Sequence, residues 1–237
     1  MSNTPPSCAI LGYGPGLGAA LATRFASGGY RVVGLARDPA RHAASGIELR
    51  AADAADPGSL TAALDAPVDV LICNAYRATM AAPGPSALPV AELAADFAVN
   101  VGGALAAAQA VLPGMRAAGR GSILFTGGGL ALDPTGWLPA ASLAIGKAGL
   151  RSLAQTLHAE LAPAGIHAGT VTVAGMIAPG TAPPRHRLPP GAHRGGLLVA
   201  APGPARRLPR RDHLPGLRRP SCSHVANLRS QPAHSPS

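Results

Sequence analysis

Glycines are the residues here whose spacing speaks most directly of chemistry. Gly12, Gly16 and Gly18 stand between the apolar run Cys8-Ala-Ile-Leu11 and the alanine-rich stretch Ala19 to Ser27, an order that reads as strand, tight turn, helix. In that setting the first glycine permits the turn, the second lets backbone approach a pyrophosphate, and the third allows helix to pack closely on strand. The helix N-terminus adds N–H groups and a partial positive charge. A glycine-rich turn in a chain with 30 glycines is the bland alternative, and only the position after a first strand gives the trio weight. Arg37 follows the next apolar run, Arg31 to Leu35, where the adenosine ribose of a dinucleotide would lie. An Asp or Glu closing that strand would accept from the ribose 2′-hydroxyl and repel a 2′-phosphate, whereas a guanidinium favours the phosphate. The reading is therefore NADP, with NAD open because Asp38 comes next and because a plain surface arginine fits the same position.

The elements that must hold these residues alternate along the chain. Arg31 to Leu35 and Ile47 to Ala51 read as strands, Asp56 opens a short helix over Pro57 to Asp65, and Val68 to Cys73 is a buried strand. A long apolar helix is expected from Pro89 to Leu112, a strand over Ser122 to Thr126, a helix over Ala140 to Leu161, and a sixth strand over Ile166 to Ala174. That order predicts an α/β fold with a Rossmann-like, doubly wound parallel sheet and helices on both faces.

Composition bounds the rest. Residues 1–180 hold ten Arg/Lys and ten Asp/Glu, while residues 181–237 hold ten Arg and only Asp212, so the whole formal charge of +9 resides in the tail. That tail has no aromatic residue on which bases could stack, which argues for a solvated basic segment and against specific nucleic-acid binding. It also carries eleven prolines in 57 positions and neither glutamate nor lysine, and cannot bury enough surface to offset its conformational entropy. We read a single domain over 1–180 and a disordered tail over 181–237. The abrupt change to Pro, Arg, His, Ser and Gly also suits a GC-rich frame read out of register, so the expectation is a frameshift shortly after Gly180, with an authentic extension as the alternative. Oligomerisation is doubtful if the tail is genuine. Cys8, Cys73 and Cys222 have no disulfide or zinc spacing, the N-terminus lacks a signal pattern, and no run approaches the roughly 18 apolar residues of a membrane span. A cytoplasmic protein without structural metal is expected.

Further residues make the pattern specific. Asp53 lies in Ala-Asp-Ala-Ala-Asp-Pro, Asn74-Ala75 ends the fourth strand, Asn100 lies in Val-Asn-Val-Gly, Lys147 in Gly-Lys-Ala-Gly-Leu, and Val173-Ala-Gly175 comes after the sixth strand. In this order, over roughly residues 7–180, they resemble the signatures of the short-chain dehydrogenase/reductase family. The resemblance implies an NAD(P)-dependent oxidoreductase that moves hydride between the nicotinamide and an alcohol or carbonyl substrate of unknown identity. It implies that Gly12, Gly14, Gly16, Leu17 and Gly18 line the pyrophosphate, that Asp53 bonds the adenine amino group, and that Asn74 and Ala75 lie beside the adenosine and ribose. Lys147 would hold the nicotinamide ribose, and the backbone near Ile177 would meet the carboxamide.

The catalytic part of the pattern is incomplete. Relatives place a tyrosine four residues before the lysine as proton donor, and the lysine's charge lowers a phenol pKa that otherwise sits near ~10. Leu143 stands there instead, one helical turn from Lys147 on the same face. The family's serine, about a dozen residues earlier, falls in Gly127 to Leu132, which carries no hydroxyl. Of the implied catalytic set, Lys147 and Asn100 remain, the latter belonging to a water-linked proton relay. Three nearby hydroxyls could compensate. Thr126 ends the fifth strand, Ser142 points roughly ~100° away from Leu143 around the helix, and Tyr76 either reaches the nicotinamide or packs against the next helix. His158 and His167 read as surface or packing residues. The expectation is an atypical family member with impaired turnover; the alternative is an NADP(H)-binding pseudo-enzyme.

Overall fold

The computed structural model describes residues 4–173, so Ile177, Cys222 and the tail over 181–237 lie outside the described residues. Six parallel strands, β1 (Ser7–Leu11), β2 (Arg31–Ala36), β3 (Glu48–Ala51), β4 (Val70–Cys73), β5 (Gly121–Gly128) and β6 (Ile166–Val173), form one sheet in the order β3-β2-β1-β4-β5-β6. The helices are α1 (Leu17–Ser27), α2 (Pro57–Ala63), α3 (Val90–Phe97), α4 (Gly103–Ala118) and α5 (Ala141–Leu161). The expected doubly wound α/β fold is what forms, with the strand boundaries within a few residues of their sequence reading. The order reverses between β1 and β4, which opens a crevice at the carboxyl ends of those two strands.

Strand periodicity explains the two cores. Ala9 and Leu11 of β1 point to the side filled by Ala107, Ala108, Val111 and Met115 of α4 and by Leu150 and Ala154 of α5. Cys8 and Ile10 point the other way, to Ala22 of α1 with Val32, Val70 and Ile72. All residues of β1 and β4 are buried, as expected for central strands covered on both faces. Asp56 caps α2 as its position suggests, its Oδ1 accepting from Gly58 N at 2.9 Å.

Two readings need correction. The helix expected to stop at Leu112 continues through Pro113 to Ala118. Proline disfavours a helix interior, but the extra turn buries Met115 and ends at Gly119, whose left-handed backbone (φ +64°) caps the last carbonyls. The helical run Val90–Ala118 is also, by length and composition alone, long and apolar enough to cross a membrane. Counting uninterrupted apolar residues missed it because scattered polar positions break the run without lowering its average. A core helix passes the same test, and the α4 part of this one packs Ala104, Ala107, Ala108, Val111 and Leu112 onto the sheet. A π-helical turn, Ala98–Gly102, joins α3 to α4; just beyond it, Gly103 lies so close to Ala54 that a Cβ would stand 2.2 Å from its carbonyl oxygen.

Candidate active site

The crevice holds a cleft of about 1260 Å³ that runs from the glycine turn past Asn74 and Ala75 to Leu143 and Lys147, with Arg37 and Asp53 also on its wall. Gly12 makes the sharp exit from β1, with φ +85° and a hypothetical Cβ only 2.3 Å from Ala75 N. Any side chain there would separate β1 from β4. Asn74 closes the same junction by donating from Nδ2 to Gly12 O at 2.9 Å and from its backbone N to Leu11 O at 2.8 Å. Gly18 packs against Gly12 O and Tyr13 Cα, each 3.0 Å from where its Cβ would be, while Gly14 and Gly16 have nothing within 4 Å of that point. Gly16 heads α1 without a side-chain cap, and the first turn, which starts at Leu17, has no acidic residue. The N–H groups of a helix start, a favourable helix dipole and open space above two glycines fit the diphosphate of a dinucleotide.

Arg37 is exposed at the end of β2, and the acid beside it is engaged elsewhere: Asp38 pairs with Arg41 at 2.9 Å. Asp53 is exposed in the turn after β3, its Oδ1 accepting from Ala55 N at 2.9 Å.

At the far end of the cleft Lys147 is buried, and its Nζ donates to Thr126 O at 2.6 Å. Burial pushes its ammonium down to about 8. Leu143 lies beside it on the cleft wall, so α5 presents the pair on one face and the tyrosine position is occupied by an alkyl group. A Cβ on Gly128 would meet Lys147 Cγ at 3.7 Å, an ordinary contact, so the position that lacks a hydroxyl touches the lysine stem. Ser142 is buried away from the cleft and exchanges hydrogen bonds with the backbone of Thr79, donating to its O at 3.2 Å and accepting from its N at 3.1 Å. Tyr76 does not pack against the next helix: it is 66% exposed on the cleft wall, with its ring centroid 5.9 Å from Lys147 Nζ.

Sequence reasoning missed the network that fixes the loop after β4. Asp96 is fully buried on α3 and pairs with Arg77, whose Nη2 also meets Glu92 Oε2 at 2.6 Å. Thr79 N donates to Asp96 Oδ2 at 2.6 Å. Burial alone would raise the Asp96 carboxyl; hydrogen bonds from Ser142 and Thr79 and the Arg77 charge outweigh it and hold the group below its usual range. Asn100, in the π-helical turn, donates to Arg77 O and accepts from Arg77 N, both at 2.8 Å. Its side-chain amide thus braces this loop, with both ends engaged. An acidic residue inside an apolar helix, seven after a proline, was the available signal.

His158 and His167 stack edge to face at 5.0 Å on α5 and β6, away from the cleft, and His167 Nδ1 is buried without a hydrogen-bond partner among the described residues.

A parallel sheet in this order, with a glycine turn leading into an uncapped helix at the strand-order reversal, defines a dinucleotide-binding protein of the Rossmann type. The short chain dehydrogenase family model matches residues 7–184, and the chain belongs to that family of NAD(P)-dependent oxidoreductases. Among solved structures, an oxidoreductase of the short chain dehydrogenase/reductase family from Burkholderia thailandensis is 34% identical, with a TM-score of 0.66 over 73% of this chain and 69% of that one. A 3-ketoacyl-(acyl-carrier-protein) reductase from Brucella melitensis, complexed with NADH, is 26% identical with a TM-score of 0.67 over 71% and 75%. A bulky-bulky ketone specific alcohol dehydrogenase from Comamonas testosteroni is 26% identical with a TM-score of 0.63 over 73% and 74%. No curated protein matches.

Proposed function

We propose that this chain binds NADP(H) in preference to NAD(H) and interconverts an alcohol and a carbonyl compound, slowly, in a reducing cytoplasmic setting consistent with the free buried thiols of Cys8 and Cys73. The observation that carries this reading is a buried Lys147 at one end of a cleft whose other end is the Gly12–Gly18 turn. When bound, the nicotinamide supplies or accepts the hydride. The backbone from Gly12 to Gly18 holds the diphosphate, Arg37 meets the 2′-phosphate, Asp53 accepts from the adenine amino group, and Asn74 and Ala75 border the adenosine and its ribose. Lys147 holds the nicotinamide ribose, and Asn100 keeps the adjoining loop in register. Leu143 has no proton to give, and loss of a positioned general acid typically costs roughly 10²–10⁴-fold in rate.

Fluorescence titration with NADPH and NADH, followed by an assay over a panel of aldehydes and ketones, tests the proposal. Tighter NADPH binding with weak turnover is expected, and absence of NADPH binding would refute it. The leucine at position 143 and the bare Gly128 favour a second reading, cofactor binding without turnover, which the same panel separates from the first.

A further inference from the structure

The missing phenol has a counterpart on a different element of the same cleft. Tyr76 belongs to the loop after β4, and the backbone on either side of it is held: Asn74 by Gly12 and Leu11, Arg77 by the side-chain amide of Asn100 and by Glu92 and Asp96. Its ring shares the cleft with Lys147, Leu143 and Gly128 and is reached by the lysine ammonium at 5.9 Å from its centroid, within cation–π range. Tyr13, the other tyrosine on the cleft wall, is buried against Gly34 and stacks on His42, and Tyr30 stacks on Phe25 outside it. Ser142 is committed to Thr79.

We propose that Tyr76 is the proton donor and acceptor of this site, taking from the opposite wall the part that position 143 on α5 has lost. The proposal rests on the hydride-transfer reading above. In the reductive direction the Tyr76 O–H bond breaks and its proton forms the new O–H bond on the substrate oxygen. The carbonyl π pair moves onto that oxygen as the new C–H bond forms from a hydride pair that the bound reduced nicotinamide would give up, its own C–H bond breaking as it becomes oxidised. The electron pair of the broken phenol bond stays on Tyr76 as phenolate, beside the Lys147 ammonium, and solvent returns the proton. Among the described residues the Tyr76 hydroxyl has no hydrogen-bond partner, and its exposed ring lies over the buried lysine.

Tyr76→Phe tests this because it keeps the ring and its contact with Lys147 and removes only the hydroxyl. NADPH affinity is expected to be unchanged while kcat for carbonyl reduction falls by about 10²-fold or more. A second measurement does not depend on turnover: nitration by tetranitromethane, mapped by peptide mass, should be blocked at Tyr76 by NADPH but not by 2′-phospho-ADP-ribose, which lacks the nicotinamide. Retained turnover in Tyr76→Phe would overturn the proposal, as would nitration of Tyr76 undiminished by saturating NADPH. A wild-type protein that binds NADPH yet reduces nothing overturns it too, leaving cofactor binding alone. Failure to bind NADPH overturns the underlying hydride-transfer reading itself.

Discussion

Replacing Lys147 by methionine should exchange function for stability in a way that depends on pH. The ammonium falls from 10.5 in the unfolded chain to about 8 in the folded protein because burial strips its water. At ~1.36 kcal/mol for each pH unit between those values, keeping the charge inside costs the native state ~3 kcal/mol at neutral pH. Between pH 8 and 10.5 the unfolded chain still holds a proton that the folded chain has released, so wild-type stability rises with pH across that window and the cost vanishes above it. Methionine fills a similar volume and carries no charge, but it leaves Thr126 O without the donor now at 2.6 Å, a pH-independent loss of ~1–3 kcal/mol. Lys147→Met should therefore be as stable as wild type or up to ~2 kcal/mol more stable at pH 7, and less stable at pH 10. The change in the difference, ~2–3 kcal/mol, is the robust quantity, because every other titration is common to both proteins. Urea unfolding followed by circular dichroism at pH 7, 8.5 and 10 measures it. Parallel stability curves for the two proteins would refute the burial argument.

Other perturbations test other parts of the site. Arg37→Ala should bring NADPH and NADH affinities together, from a preference of roughly tenfold, in a fluorescence titration; an unchanged ratio would remove the argument for NADP. Leu143→Tyr with Gly128→Ser should raise NADPH-dependent carbonyl reduction well above either single change, since both positions border Lys147, and that gain should survive Tyr76→Phe. Asp96→Ala should lower the urea midpoint, because Thr79 N loses its buried acceptor while Arg77 keeps Glu92, and an unchanged midpoint would refute the bracing role of Asp96. Burial, and then the neighbouring His158, lower His167 below its ordinary value. The unfolded chain therefore takes up that proton first, and stability should drop as pH falls from 7 towards 5, a slope that His167→Gln should flatten in thermal melts.

Short-range pattern was sufficient for much of this protein. Alternating β-branched runs and alanine-rich helices identified the strands and helices because their side-chain periods of 2 and 3.6 are local properties of the backbone. The glycine turn was legible because a pyrophosphate needs bare backbone at a helix start, and Leu143 with Lys147 because four residues make one helical turn. The stop at Pro113 was misread because burial of Met115, a long-range effect, overrode the local cost of proline. No local rule could have joined Arg77 to Asp96 and Asn100, whose separations of 19 and 23 residues follow no period and close only when α3 packs beside the loop after β4. Tyr76 is the sharpest case. Sequence left it facing either the nicotinamide or the next helix, because a loop side chain has no period to fix its direction. Its place over Lys147, 71 residues away, came from β4 and β5 pairing side by side: β4 leads into the loop that carries the ring, and Thr126 of β5 anchors the ammonium beneath it.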